Sequence, residues 1–167
     1  MPRKPRPAAP TYTVVRDTRE QEGQGWVFPP STKDRCLGTE TRTLPTADYT
    51  LVGYEDLFVI ERKRSTAEIA TNLFEDRFER ELVRMEAIPH AFLVCEFTLQ
   101  DVLDFPRGSG IPREKWGDLR TSGPLLLKKL NEILVVHHIP IIYAGTHGWA
   151  TATSLFKRVL EHVQRPD

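Results

Sequence analysis

Three consecutive residues, Glu61, Arg62 and Lys63, stand at the end of the apolar run LFVI. The run has the pattern of a strand, so Glu61 and Lys63, two apart, point to one face and Arg62 to the other. A carboxylate and an ammonium on one face become a small reactive centre when a second carboxylate joins them. Asp48 is the candidate. DYTLVG (48–53) and LFVIERK (57–63) read as two strands around a turn at YED. If Tyr54 and Glu55 form a two-residue loop, Asp48 lies directly across from Glu61. The two carboxylates would then sit roughly 5 Å apart at Cβ and repel unless a cation lies between them. A hard divalent ion with oxygen ligands, Mg²⁺ or Mn²⁺, suits that position. Such an ion polarises a phosphate and lowers the pKa of bound water, while Lys63 holds the attacking water or offsets charge on a phosphoryl oxygen. Asp48, Glu61 and Lys63 are thus minimal equipment for metal-assisted phosphodiester hydrolysis. Glu-x-Lys alone also occurs as an exposed strand-end pair of little consequence. The upstream Asp48 and the doubly apolar strand weigh towards the chemical reading.

These side chains need a frame. TYTVVRD (11–17) reads as a first strand, followed by a long polar loop over 22–45. In the strand 57–63, Leu57 and Val59 face one way and Phe58 and Ile60 the other. That strand therefore lies inside a sheet covered on both sides. Residues 66–87 carry an apolar stripe through Ile69, Leu73, Phe74, Leu82 and Met85 and predict one long helix, with Ser65 or Thr66 as its N-cap. AFLVCEF (91–97) is a buried strand, TLQDVLDF a short helix, and 106–118 a Gly/Pro-rich loop. Helix 124–138 opens on Pro124, strand 139–145 follows, and helix 149–163 closes the series. This order predicts an α/β fold, a central mixed sheet with helices on both faces.

The chain of 167 residues is enough for one domain, placed at 11–165. Residues 1–10 are basic and Pro-rich and read as a disordered tail, either solvated or tracking phosphates through Arg3, Lys4 and Arg6. Lys+Arg and Asp+Glu both number 23, so net charge favours no partner, although only the contact face of a nucleic-acid reader must be basic. Cys36 and Cys95 have neither metal spacing nor a disulfide framework and read as reduced thiols of a cytoplasmic protein. The sequence has neither a membrane-length apolar stretch nor a signal peptide, so no membrane role is expected. His137 and His138 are adjacent and diverge by about 100° on a helix, which suits a helix end better than a metal. Two basic loops carry aromatic residues, one with Trp26, Lys33 and Arg35, the other with Arg107, Arg113, Lys115 and Trp116. Each reads as a surface loop or as a stacking site for a frayed base.

The run ADYTLVGYEDLFVIERK resembles the signature of the XPF-type nuclease domain: Gly-Asp, a hairpin, a hydrophobic residue and Glu-Arg-Lys. VVRDTRE resembles that family's first-strand motif, supplying Asp17, Arg19 and Glu20. RFERE resembles its helical Arg-Leu-x-x-Gln segment, with Arg77 matched and Glu81 in place of Gln. AFLVCEF and IPIIYAGTHGWAT resemble the later strands and the following helix. The resemblance spans about residues 11–163. It implies the restriction-endonuclease-like PD-(D/E)XK fold and a Mg²⁺- or Mn²⁺-dependent endonuclease acting on flapped, forked or branched DNA. It makes Asp48 and Glu61 metal ligands, Lys63 catalytic, and Asp17 and Glu20 further acidic residues of the site; Arg62, on the other face, is grouped with the catalytic residues either as an anchor of the strand end or as a phosphate contact. Arg77 becomes either a contact to the DNA backbone or a solvated helix charge paired with Glu81, and Arg19, with Lys33 and Arg35 of the early loop, is counted among the DNA contacts. Two positions depart from the pattern: Ala47 replaces the family Gly, and Ala67, followed by Glu68, replaces an Asp. No helix–hairpin–helix module is expected after the domain. The expected partners are therefore DNA and either a second copy or a subunit supplying DNA binding, in the standalone manner of phage and bacterial forms. The alternatives are an inactive DNA-binding scaffold subunit of a nuclease complex, or a hydrolase of RNA or small phosphoesters built on the same site.

Overall fold

The computed structural model describes residues 10–20 and 23–163. Its strands are β1 (Tyr12–Asp17), β2 (Cys36–Arg42), β3 (Tyr49–Leu51), β4 (Phe58–Lys63), β5 (His90–Cys95) and β6 (Ile141–Tyr143). Its α-helices are α1 (Thr66–Asn72), α2 (Asp76–Glu86), α3 (Leu99–Asp104), α4 (Gly123–Val136) and α5 (Gly148–His162). The strands form one mixed sheet in the order β2-β1-β3-β4-β5-β6. β3 runs antiparallel to both β1 and β4, and the other neighbours are parallel.

β4 holds the centre because it is apolar on both faces; all six of its residues are buried. On one face Val59 packs with Ile69, Phe78, Leu82, Leu126 and Leu130, from α1, α2 and α4. On the other, Phe58 and Ile60 pack with Trp26, Phe28 and, from α5, Ala152 and Phe156. Strand alternation then carries Glu61 and Lys63 to the α2 side and Arg62 to the α5 side. Tyr49 pairs with Ile60, the register that sets Asp48 across from Glu61. The connection is wider than a two-residue loop, however. Tyr54 N–H donates to Leu51 O at 2.9 Å, and both Leu57 and Phe58 N–H donate to Tyr54 O.

Three expectations are corrected or bounded. The expected polar loop at 22–45 contains β2, an edge strand parallel to β1. Its sequence CLGTETR is buried only at Cys36 and Gly38, so a mostly solvated strand shows no apolar alternation. The single long helix is two, because the stripe breaks: after Leu73 the next core-facing positions would be Asp76 or Arg77. Restarting at Asp76 brings Phe78, Leu82 and Met85 back onto the sheet. The basic tail lies outside the described residues except for Pro10. Ser65 is the cap of α1, accepting a hydrogen bond from Glu68 N–H at 3.1 Å. Among the described residues no helix is long and apolar enough to cross a membrane.

Candidate active site

Where β4 ends, its side chains meet the segment before β3 and the inner faces of α1 and α2 in a cavity of about 280 Å³. Asp48, Glu61, Lys63, Glu20, Arg19 and Arg77 all line it, so the structure brings together most of the residues singled out in the sequence. Asp48 Oδ2 accepts the Arg62 backbone N–H at 2.8 Å, which holds the aspartate against the strand carrying Glu61. The register of β3 against β4 places Asp48 across from Glu61, and the charge of Glu61 bears on the Asp48 carboxyl. Lys63 Nζ lies 2.8 Å from Glu61 Oε1 and 4.5 Å from the centre of the Phe78 ring.

The electrostatics follow from burial and crowding. Burial, then the charges of Glu61 and Glu20, push the Asp48 carboxyl well above its ordinary value. Burial also raises Glu61, against the lowering effect of Lys63. For Lys63 burial alone would lower the pKa, but the Glu61 carboxylate outweighs it and holds the ammonium above its usual range. Burial and mutual repulsion disfavour the charged forms of these two recessed carboxyls, and a cation between them would relieve that. That all-oxygen pair suits a hard divalent cation. Among the described residues, no group of three or more His, Cys, Asp or Glu side chains is placed to hold a metal, so further ligands would come from water and substrate.

Arg62 also lines the cavity, but its guanidinium is turned to the opposite face. Its Nε and Nη2 donate to Glu96 Oε2 at 2.9 and 2.6 Å, and its Nη1 donates to Glu20 Oε2 at 2.9 Å. The guanidinium also sits 5.1 Å from the centre of the Trp26 ring. Its nitrogens are therefore committed to a frame that ties the end of β4 to residues just beyond β1 and β5. Glu20, expected as a metal ligand, serves that frame: it accepts from Arg62 and from the Tyr49 hydroxyl at 2.9 Å.

Asp17, also expected as a ligand, is not brought to the cavity. It is fully buried, and it accepts from the N–H of Arg19 at 2.8 Å, from Arg19 Nε at 2.5 Å and from Leu44 N–H at 2.6 Å. These bonds, chiefly Arg19's, outweigh burial and hold its pKa low, so it is an ionised turn anchor. Lys33 and Arg35 do not line the cavity either. Arg35 lies 3.8 Å from Glu161 on α5, on the far side of the sheet. Cavity residues that the sequence reading left unassigned include Gln24, Arg64, Asn72, Phe78 and Arg84, with Glu68 and Glu81 now placed beside them. Arg77 is exposed at the mouth, 3.6 Å from Glu75.

The ERCC4 domain profile matches residues 16–153. The chain belongs to the ERCC4 domain family. It is an XPF-type nuclease domain, and its mixed sheet with flanking helices matches solved XPF structures in fold. XPF from Aeropyrum pernix superposes with a TM-score of 0.59 at 19% identity, over 90% of this chain and 66% of that one. The same protein in complex with DNA gives 0.57 at 19% identity, over 93% and 68%. No curated protein sequence is significantly similar to this one.

Proposed function

We propose that this ERCC4 domain is a divalent-metal-dependent endonuclease that cuts flapped, forked or branched DNA in the cytoplasm, as an accessory of repair, recombination or phage DNA processing. The observation that carries the reading is the Asp48–Glu61 carboxyl pair with Lys63 Nζ 2.8 Å from Glu61, recessed beneath Arg19, Arg64, Arg77 and Arg84. Mg²⁺ or Mn²⁺, held by Asp48 and Glu61, would polarise a phosphoryl oxygen and make water a better nucleophile. Lys63 opposes the burial that raises Glu61 and offers its ammonium to the attacking water or to a phosphate oxygen. The four arginines hold the phosphates on either side of the reacting one. Arg62 acts here through the frame with Glu20 and Glu96 rather than on substrate. DNA binding by the related XPF supports the choice of nucleic acid. A second copy or a partner subunit completes the DNA surface, and exposed Leu134, Val135 and Val136 on α4 are suited to such a contact.

The test is cleavage of labelled flap, fork, four-way junction, duplex and RNA substrates with Mg²⁺, Mn²⁺ or EDTA, beside Glu61→Ala and Lys63→Met. Metal-dependent cuts near a branch, absent in both variants, are expected. Cleavage that survives both substitutions, or that persists in EDTA, refutes the assignment.

A further inference from the structure

The segment that presents Asp48 has an unusual backbone. Ala47 has φ 61°, in the left-handed region, where a side chain with a Cβ is disfavoured. Its methyl is buried, so solvent does not hold it there. The restraint comes from α2. Glu81 Oε1 accepts the Ala47 N–H at 2.5 Å and the Thr46 hydroxyl at 2.5 Å. Arg84 pairs with the other oxygen of Glu81 from the solvent side. Glu81 is itself buried and lines the cavity, while Thr46 is buried beside it. A carboxylate spent on two donors of the residues just before Asp48 fixes the direction in which Asp48 leaves the backbone.

We propose that Glu81 is a positioning residue: it clamps residues 46 and 47 in the strained turn that aims Asp48 at Glu61, without touching substrate. This rests on the endonuclease reading for its consequence in activity, but not for its consequence in metal binding. Gln at this position keeps an acceptor oxygen for both donors. Ala removes the acceptor. Gly at 47 removes the disfavour for the left-handed turn and so substitutes for part of the clamp. A residue that only packs α2 against the sheet would not be relieved by Gly at position 47.

The experiment compares wild type, Glu81→Gln, Glu81→Ala and Glu81→Ala/Ala47→Gly in the full chain. Mn²⁺ binding is measured by calorimetry and cleavage by kcat and KM on the best DNA substrate, with folding checked by circular dichroism. Glu81→Ala is expected to lose about 10- to 100-fold in Mn²⁺ affinity and kcat, with little change in KM. Glu81→Gln recovers most of that loss, and Ala47→Gly recovers part of it. Should Glu81→Ala not fold, Glu81→Met, which keeps the volume, takes its place. The clamp is overturned if the Ala variant binds Mn²⁺ as wild type does, if Gln is as damaging as Ala, or if Ala47→Gly restores nothing. Wild-type protein that binds Mn²⁺ but cuts no DNA would refute the endonuclease reading alone, and the Mn²⁺ series would still decide the clamp.

Discussion

Replacing Arg62 by Ala is the most severe single test of the frame. The guanidinium is 7% exposed and makes three nitrogen–oxygen bonds of 2.6 to 2.9 Å to Glu20 and Glu96, whose side chains are themselves only 14% and 23% exposed. Truncation leaves two recessed carboxylates with no cation. Glu96 retains the Trp26 indole at 2.9 Å, and Glu20 retains the Tyr49 hydroxyl. Removing one partner from a buried ion network costs about 3–5 kcal/mol, a large share of an ordinary domain's stability. For a chain of this size that lowers Tm by about 6–20 °C. Urea unfolding followed by far-ultraviolet circular dichroism measures it. Arg62→Lys, which keeps the charge but loses the planar fork, should fall between. Adding Glu20→Gln and Glu96→Gln to Arg62→Ala should recover part of the loss, since the cost is stranded charge. A loss below about 1 kcal/mol, the worth of a surface pair, would refute the reasoning. So would a triple variant no more stable than Arg62→Ala.

Other perturbations probe the remaining parts. The Asp48 and Glu61 carboxyls are raised above their ordinary 3.8 and 4.5 in the folded chain, so there it binds protons that the unfolded chain has released. Their contribution to stability therefore declines as pH rises from those ordinary values through the raised ones. Thermal melts of metal-free protein should show the wild-type advantage over Glu61→Gln shrinking with pH, and Mn²⁺ restoring it most at high pH; a gap that widens with pH would contradict this. Arg77→Ala should weaken DNA binding and reduce the slope of log K against log salt by about 1, whereas Lys33→Ala, away from the cavity, should leave the slope alone. Gly148→Ala would place a Cβ 2.6 Å from the Trp26 ring and 2.9 Å from Glu96 Cγ. Such overpacking costs about 1–3 kcal/mol, and in urea titrations it should be non-additive with Arg62→Ala because both act on Glu96.

The reactive pair was legible because it depends on local rules. Strand alternation separates Glu61 and Lys63 from Arg62, and the register Tyr49–Ile60 follows from where the polar turn falls. Asp17 was misplaced although a local signal existed. An Asp that accepts the N–H two residues on is an Asx-turn, and D-T-R before a loop fits one. Position in the fold decided the rest. Glu81, Arg84 and Asn72 reach the cavity only because the helix breaks after Asn72 and restarts at Asp76, a change of phase that tilts two side-chain sets towards one space. Ala47 looked like a mild departure from the family Gly; its left-handed φ is a tertiary fact, enforced by a residue 34 positions away. β2 escaped because an edge strand needs only one covered face and little apolar content.

The alternation along β4 divides labour between adjacent codons. Glu61 and Lys63 serve the cavity; Arg62, between them, ties strand ends together on the opposite face. The two tasks rest mainly on different side chains of that strand, so mutation can erase one and spare the other. After gene duplication, a copy that lost Glu61 and Lys63 would still be folded by Arg62 and would still present Arg19, Arg77 and Arg84 to a phosphate backbone. On the endonuclease reading, this architecture puts a catalytically silent sister subunit one short evolutionary step from an active enzyme, while loss of Arg62 would remove both at once.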